Sequence, residues 1–445
     1  MIKEFVILGG GSAYTPGLLQ ALIHQGNSLG LTRVRLFDTD AEHLELVGRL
    51  GQAMARSAGV NFTVETADTL EAAVRGADAV LNSTRPGGFG ARRMDETLPL
   101  SLGIPGQETV GPGGFFFALR SVPEALRVAD MLEKVAPHAL LLNYTNPSNI
   151  VTQALVNRGG VRVLGLCDQS EEDLHDLAHA LGHAGQAIDF RCNGLNHATW
   201  YSDMRFGGEA VIEFPATLQA PPGLNAEHVL RFELSLKLAR ETPGFWPNSY
   251  LPYYMAPERF VALSKEEGPR SDAIVAKLPS YYAHFREEAV KDTPVLRHHR
   301  GTAGFGDLAV TVIQALQQAQ GGSLVLNVEN QGTTALFAPT TVVESRGNLG
   351  PAGWTRVPAA AVPSGHTGLL HQLENYQHLA AEAARTGREV TILKALAANP
   401  LVGTKAQADA LWALARAHYG ALLPLLAGKR GHWPRRCRGT TWSAW

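Results

Sequence analysis

The sequence predicts an α/β protein, with an N-terminal Rossmann-like parallel sheet followed by a C-terminal α+β, helix-rich substrate domain. Three observations carry this. Over the first 190 or so residues, short apolar runs alternate with helical segments (FVILGGGSAYTPGLLQALI, RVRLFDTD, DAVLNSTRPGG, ALLLNYTNPSNIVTQAL, VRVLGLCDQSEEDLHDLAHALG). Strands alternating with helices in this way specify parallel pairing with crossover helices. The first run ends in a glycine turn and the second in an acid, Asp38. From about Ile188 the alternation fades, and long helical stretches such as AEHVLRFELSLKLARE take over, with some strand near SLVLNVEN. The expected organisation is a dinucleotide-binding domain over 1–187, a substrate, metal and oligomerisation domain over 188–427, and a basic tail over 428–445.

The composition bounds the function. The chain has 445 residues, 45% hydrophobic and 18% charged, with a net charge of −2. A large core is within reach, and no general bias toward nucleic acid or membrane exists. Cys167, Cys192 and Cys437 are odd in number and irregularly spaced, which fits a reducing compartment rather than a disulfide framework. The N-terminus enters a strand directly, and no run reaches the roughly 18 apolar residues of a membrane span. The expectation is a cytoplasmic protein. The tail GKRGHWPRRCRGTTWSAW lacks periodicity and reads as disordered, not as a nucleic-acid arm.

Taken in order, the elements converge on one sheet edge. In ILGGGSAYTP, Gly9 and Gly11 close the first strand and Ser12 opens the helix. Glycines there let the backbone approach a pyrophosphate at the helix N-terminus. Tyr14 stands where a third glycine is usual, and a merely structural turn is the competing reading. Asp38, ending the second strand, suits a ribose 2′-hydroxyl and disfavours a 2′-phosphate, so NAD is expected over NADP. Thr84 ends the next strand and opens a polar stretch, TRPGGFGARRMDETLPLSLGIPGQETVGPGGFFFALR. Its arginines, its acidic pair Asp95–Glu96 and Glu108 mark either a binding loop or a solvated surface. NYTNPSN follows the next strand, and Asn146 before Pro147 is held extended, able to aim its amide at a ligand. All these residues, and Cys167, would lie at the carboxyl ends of parallel strands, where such sheets bind ligands.

Two further groups bear chemistry. His197, in GLNHATW, follows Cys167 by thirty residues. Each alone reads more readily as structural. Together, a thiolate and an imidazole suit a borderline divalent metal and leave positions open for a chelating substrate. NSYLPYYMAPERF holds Tyr250, Tyr253 and Tyr254, a cluster that is core or, beside a cation, a base.

These pieces together resemble glycoside hydrolase family 4, the NAD- and metal-dependent phosphoglycosidases. The resemblance rests on GGGSAYTP, RPGGFGARRMDETLPLSLGIPGQETVGPGG, NYTNPSN, GLCD, GLNH and SYLPYY, with RGTAGFGD, LVLNVENQG and ALAANPLV later, and covers about residues 1–420. It implies Cys167 and His197 as ligands of Mn²⁺ or another divalent metal. It implies Arg92 and Asn146 as substrate contacts, and Arg270 as the arginine meeting a substrate phosphate. Asp168 matches the proton donor, Tyr250 the proton acceptor, and Glu108 an acid beside the tyrosine. The reaction it implies removes hydride from C3 of the sugar, transfers the C2 proton to Tyr250 and expels the aglycone by elimination. Water then adds at C1 and hydride returns. The substrate would be a phosphorylated disaccharide or aryl glucoside, and the assembly a homodimer or homotetramer.

The sequence departs from the family pattern at Cys167-Asp168-Gln169-Ser170, where proline is usual, and at Thr302 and Phe305. Asp168 favours a 6-phospho-α-glucosidase, whereas GQETVGPGGFFFALRSVP resembles the β class. The expectation is a 6-phospho-β-glucosidase. The alternatives are a 6-phospho-α-glucosidase or non-phosphorylated α-glycosidase of the same family, a lactate/malate-type hydroxyacid dehydrogenase, and a silent sugar-nucleotide sensor.

Overall fold

The structure, a computed structural model, describes residues 2–300 and 305–423. The expected tail, Cys437 and Thr302 lie outside them. Thirteen strands join one sheet: β1 Glu4–Leu8, β2 Arg33–Phe37, β3 Thr63–Thr66, β4 Ala79–Asn82, β5 Leu140–Asn143, β6 Arg162–Gly165, β7 Ile188–Leu195, β8 Ala198–Phe206, β9 Glu209–Ala210, β10 Phe245–Pro247, β11 Gly322–Glu329, β12 Val342–Gly350 and β13 Gly353–Arg356. The first six pair in parallel in the order β3-β2-β1-β4-β5-β6. That order reverses beside β1, which creates the crevice in which open α/β sheets hold ligands. Past β6 the sheet continues through β11, β12, β7, β8 and β10, all antiparallel.

The parallel strands are apolar on both faces, as a sheet covered by helices on both sides requires. Along β1, Phe5 and Ile7 enter one core cluster while Val6 and Leu8 enter the other. The same alternation sends Leu141 to one side and Leu140 and Leu142 to the other. Leu18, Leu22, Val47, Leu50, Val312 and Ile313 come from helices Thr15–Gln25, Ala41–Ala58 and Phe305–Gln317 and cover the first face. The second is covered by helices Gly111–Val135 and Ser148–Arg158, together with three from the C-terminal part, Thr367–Thr386, Glu389–Ala398 and Lys405–Tyr419. Among the described residues no helix is long and apolar enough to cross a membrane.

The strand ends position polar groups. β4 and β5 end in Asn82 and Asn143, which lie opposite each other and are fully buried. The Asn82 amide donates to Asn143 Oδ1 at 3.2 Å, and Asn143 donates to Thr152 Oγ1 at 3.2 Å. These bonds satisfy two side chains that would otherwise be costly inside a sheet, and they fix where the following loops leave it.

Candidate active site

The glycine turn after β1 is tied on three sides. The N–H groups of Gly9 and Gly10 both donate to Phe37 O at 2.9 Å, locking the turn to the end of β2. Gly9 has φ +86°, and a side chain there would lie 2.5 Å from Ser83 O; only glycine meets both conditions. Gly11 N–H donates to Asp38 Oδ2 at 3.0 Å, and Asp40 N–H to Asp38 Oδ1 at 3.1 Å. Burial raises the pKa of Asp38, and these backbone donors oppose it. Each carboxylate oxygen keeps a further lone pair for a ligand hydroxyl. The Tyr282 hydroxyl donates to Gly11 O at 3.0 Å while its ring stacks on His43 at 3.8 Å. Ser12 N–H returns to Gly9 O at 3.1 Å, opening helix Thr15–Gln25. Thr84 bonds Asn82 Oδ1 at 3.0 Å, and its carbonyl accepts from Thr145 Oγ1 at 3.0 Å.

The polar stretch after β4 folds into a buried ionic network rather than a solvated surface. Glu108 pairs with Arg85 and, at 2.9 Å, with Arg92. Arg92 also reaches Glu96 at 2.8 Å, and Glu96 accepts from Ser271 N–H at 2.9 Å and Oγ at 2.7 Å. Burial opposes ionisation of Glu108, but Arg85 and then Arg92 outweigh it and hold the carboxyl at about 2. Behind this lies Asp95, fully buried, bound by Arg120 through two bonds of 3.0 and 2.6 Å and by the Tyr419 hydroxyl at 2.6 Å.

At the end of β6, Cys167 meets His197, which lies in the turn between β7 and β8. Sγ and Nε2 are 3.6 Å apart. Burial, then Asp168 and Glu344, push the Cys167 thiol up. Burial and then Arg231 pull His197 down to about 3, so its imidazole is neutral. Tyr250, 7% exposed, stacks on His197 with ring centroids 4.3 Å apart and 12° between planes. The Arg231 guanidinium lies 4.4 Å from the Tyr250 centroid. Burial raises the Tyr250 pKa, and Arg231 opposes that rise. Glu108 is near enough to act electrostatically on both His197 and Tyr250. Asp168 stands just before helix Gln169–Ala180, without a side-chain capping bond; burial and then Glu172 raise it to about 7, against a hydrogen bond from Tyr144.

Asn146 precedes a cis Pro147, and Ser148 Oγ bonds Leu166 O at 3.1 Å, joining this turn to the one bearing Cys167. Arg270 begins helix Arg270–Glu288, half exposed, 3.7 Å from Glu227, which accepts from Tyr253 at 2.9 Å. The residues singled out in sequence thus form three connected groups. Gly9, Gly11, Ser12, Asp38 and Thr84 stand at the switch point, Glu108 with Arg92 stands beside it, and Cys167, Asp168, His197 and Tyr250 stand past β6. Sequence reasoning missed Arg85, Arg231 and Glu344. Arg231 is 2% exposed and its Nε and Nη1 have no hydrogen-bond partner. A charge inside an apolar pattern, as in VLRFELSL or TVVESR, was the one available signal.

The chain aligns with known proteins over most of its length. The chain is 29% identical over 424 residues to the 6-phospho-beta-glucosidase of Escherichia coli (strain K12), covering 92% of this chain and 93% of that protein. It is 28% identical over 429 residues to the 6-phospho-alpha-glucosidase of Leptotrichia buccalis, covering 92% and 96%. The crystal structure of a 6-phospho-alpha-glucosidase from gut microorganisms, in complex with NAD and Mn²⁺, superposes with a TM-score of 0.85 at 24% identity, over 95% of this chain and 99% of that one. Residues 4–182 match the family 4 glycosyl hydrolase model and residues 192–402 the model of that family's C-terminal domain, so this chain belongs to the family 4 glycosyl hydrolases.

Proposed function

We propose that this chain hydrolyses 6-phospho-β-glucosides by transient oxidation of the sugar at C3, with NAD⁺ on the Gly9–Asp38 turn and Mn²⁺ or a related divalent cation between Cys167 and His197. The observation that carries this reading is the meeting of a thiol, an imidazole and a buried tyrosine just past a dinucleotide-type strand edge. The donor set fits an ion. Sγ and Nε2, 3.6 Å apart, are close enough to share one divalent ion. Asn196 Oδ1, beside His197, is buried without a hydrogen-bond partner among the described residues. Among the described residues no three His, Cys, Asp or Glu side chains gather around one point, so a chelating substrate would complete the coordination.

When bound, NAD⁺ supplies hydride acceptance and the cation Lewis acidity toward the C2 and C3 oxygens, the chemistry by which NAD-dependent members of this family depart from two-carboxylate glycosidases. The chain's own groups do the rest. Tyr250 takes the C2 proton, and Arg231 over its ring stabilises the phenolate against the burial that disfavours it. Asp168, held near neutrality, carries a proton for the leaving oxygen. Ionised Glu108 fixes the Arg92 guanidinium toward the sugar, and Asn146 and Arg270 complete the contacts to hydroxyls and phosphate. Asp168 also favours a second reading, the α anomer.

Nitrophenyl 6-phosphoglycosides of both anomers, gluco and galacto, assayed with NAD⁺ and Mn²⁺ in D₂O, test the proposal. The β-gluco substrate should be cleaved without net NADH, and the released sugar phosphate should carry deuterium at C2. Faster α cleavage would select the second reading. Product without deuterium excludes Tyr250-driven elimination with solvent exchange, and net NADH from a hydroxyacid would point to the dehydrogenase instead.

A further inference from the structure

Glu344 lies on β12, far along the chain from every residue considered so far, and is 1% exposed. It forms no ion pair among the described residues. Its carboxylate is held instead by three neutral donors. Asn196 Nδ2 donates to Oε1 at 2.8 Å, and Thr199 Oγ1 and Ser170 Oγ reach Oε2 at 2.6 and 3.1 Å. Two of these donors flank His197, and the third lies three residues beyond Cys167. One carboxylate therefore grips both turns that present the thiol and the imidazole.

The His197 backbone explains why such a grip is needed. Its φ is +136°, a region an L residue with a side chain rarely adopts. Such a conformation persists only where the surroundings over-determine it. Glu344 supplies that constraint from the residue before His197 and from a residue two after it. Because a carboxylate only accepts, it also fixes the Asn196 amide with nitrogen toward Glu344, leaving Oδ1 as the end without a hydrogen-bond partner among the described residues. The backbone adds a second tie, since Glu344 pairs with Gly194 in the β7–β12 ladder.

We propose that Glu344 is the positioning residue of the Cys167–His197 pair, a buried carboxyl clamp that holds the two ligand turns at metal-binding separation. The inference rests on the reading of that pair as a cation site. Outer partners of ligating side chains typically govern about 10–100-fold in metal affinity. The clamp acts through the ligand turns and leaves the Gly9–Asp38 turn untouched.

The test uses the full-length protein stripped of metal by chelator and titrated with Mn²⁺ by calorimetry, and with Co²⁺ by its thiolate charge-transfer absorption. Glu344→Gln keeps the shape and replaces one acceptor oxygen with a donor. It should weaken both metals about 10–100-fold while NAD⁺ affinity stays within about twofold of native. Metal affinity unchanged in a Glu344→Gln protein that binds NAD⁺ normally would overturn the clamp. If Glu344→Gln does not fold, Thr199→Val decides. It is isosteric, loses one donor and should weaken Mn²⁺ several-fold, and an unaltered Mn²⁺ affinity in it rejects the proposal. Failure of the underlying reading looks different: native protein itself would show no thiolate–Co²⁺ band, and Cys167→Ser would bind Mn²⁺ as native does.

Discussion

Glu108 illustrates how much one side chain depends on its neighbours. Buried alone, it would bind a proton; between Arg85 and Arg92 it stays ionised down to about 2, against an ordinary value of 4.5. A folded-state pKa below the unfolded one means the unfolded chain binds more protons in that interval, so stability falls as pH falls. The contribution is fully present above 4.5, is lost progressively from 4.5 to 2, and amounts to about 3 kcal/mol at neutrality. Glu108→Gln should therefore be less stable than native by roughly that amount at pH 7, and the gap in urea denaturation should narrow as pH is lowered from 4.5 toward 2. A gap independent of pH would remove the ionic account. Glu108 could be singled out in the sequence because it sits in a glycine-rich block, but its two arginine partners could not both be assigned. Cys167, His197 and Tyr250 were legible for the same reason, each embedded in a short unusual pattern. Arg231 and Glu344 were not, because a charged residue in an amphipathic helix or strand announces its burial only once the neighbouring elements are packed.

Helix Gly111–Val135 shows the same dependence one level up. Its first turns lie against helix Gly88–Ser101 so closely that a side chain at Gly113 would be 2.4 Å from Asp95 O and 2.3 Å from Gln107 O. This close approach lets Arg120, two turns on, reach Asp95, and it shapes the segment that carries Glu108. Gly113→Ala should destabilise the protein by about 1–3 kcal/mol through overpacking. Gly368→Ala, in a helix where an added side chain meets open space, should be neutral or stabilise by up to about 1 kcal/mol. Thermal melts of the pair check the contrast, and a Gly113→Ala protein as stable as Gly368→Ala would show that the approach at Gly113 is not constraining. The parallel strands could be read from sequence because each is a compact apolar run bounded by turn residues. The pairings of β12 with β7 and of β11 with β6 could not, since antiparallel partners separated by well over a hundred residues leave no local trace.

The whole molecule is built on a shared interior. The sheet passes without interruption from β6 to β11, where Asn327 pairs with Gly165. The core cluster that takes Val6 and Leu8 from β1 also takes Leu411 and Ala415 from helix Lys405–Tyr419. Tyr419 crosses back to bind Asp95. Residues on either side of position 187 therefore stabilise each other, and the groups proposed to hold cofactor and sugar are fixed by both halves of the sequence.

Helix Arg270–Glu288 spans the two ligand regions. Near its start, Ser271 holds Glu96 and through it Arg92; eleven residues on, about 16 Å along the axis, Tyr282 holds the carbonyl of Gly11. A helix tied at both ends, with Pro279 between the ties, would couple the two proposed occupancies, and linkage is reciprocal. NAD⁺ should tighten glucose 6-phosphate by some factor, and glucose 6-phosphate should tighten NAD⁺ by the same factor. Tyr282→Phe, which unhooks one end of the helix, should bring that factor toward one while leaving each separate affinity nearly unchanged. Calorimetric titration of each ligand with and without the other measures it, and a coupling undiminished in Tyr282→Phe would mean the message travels by another route.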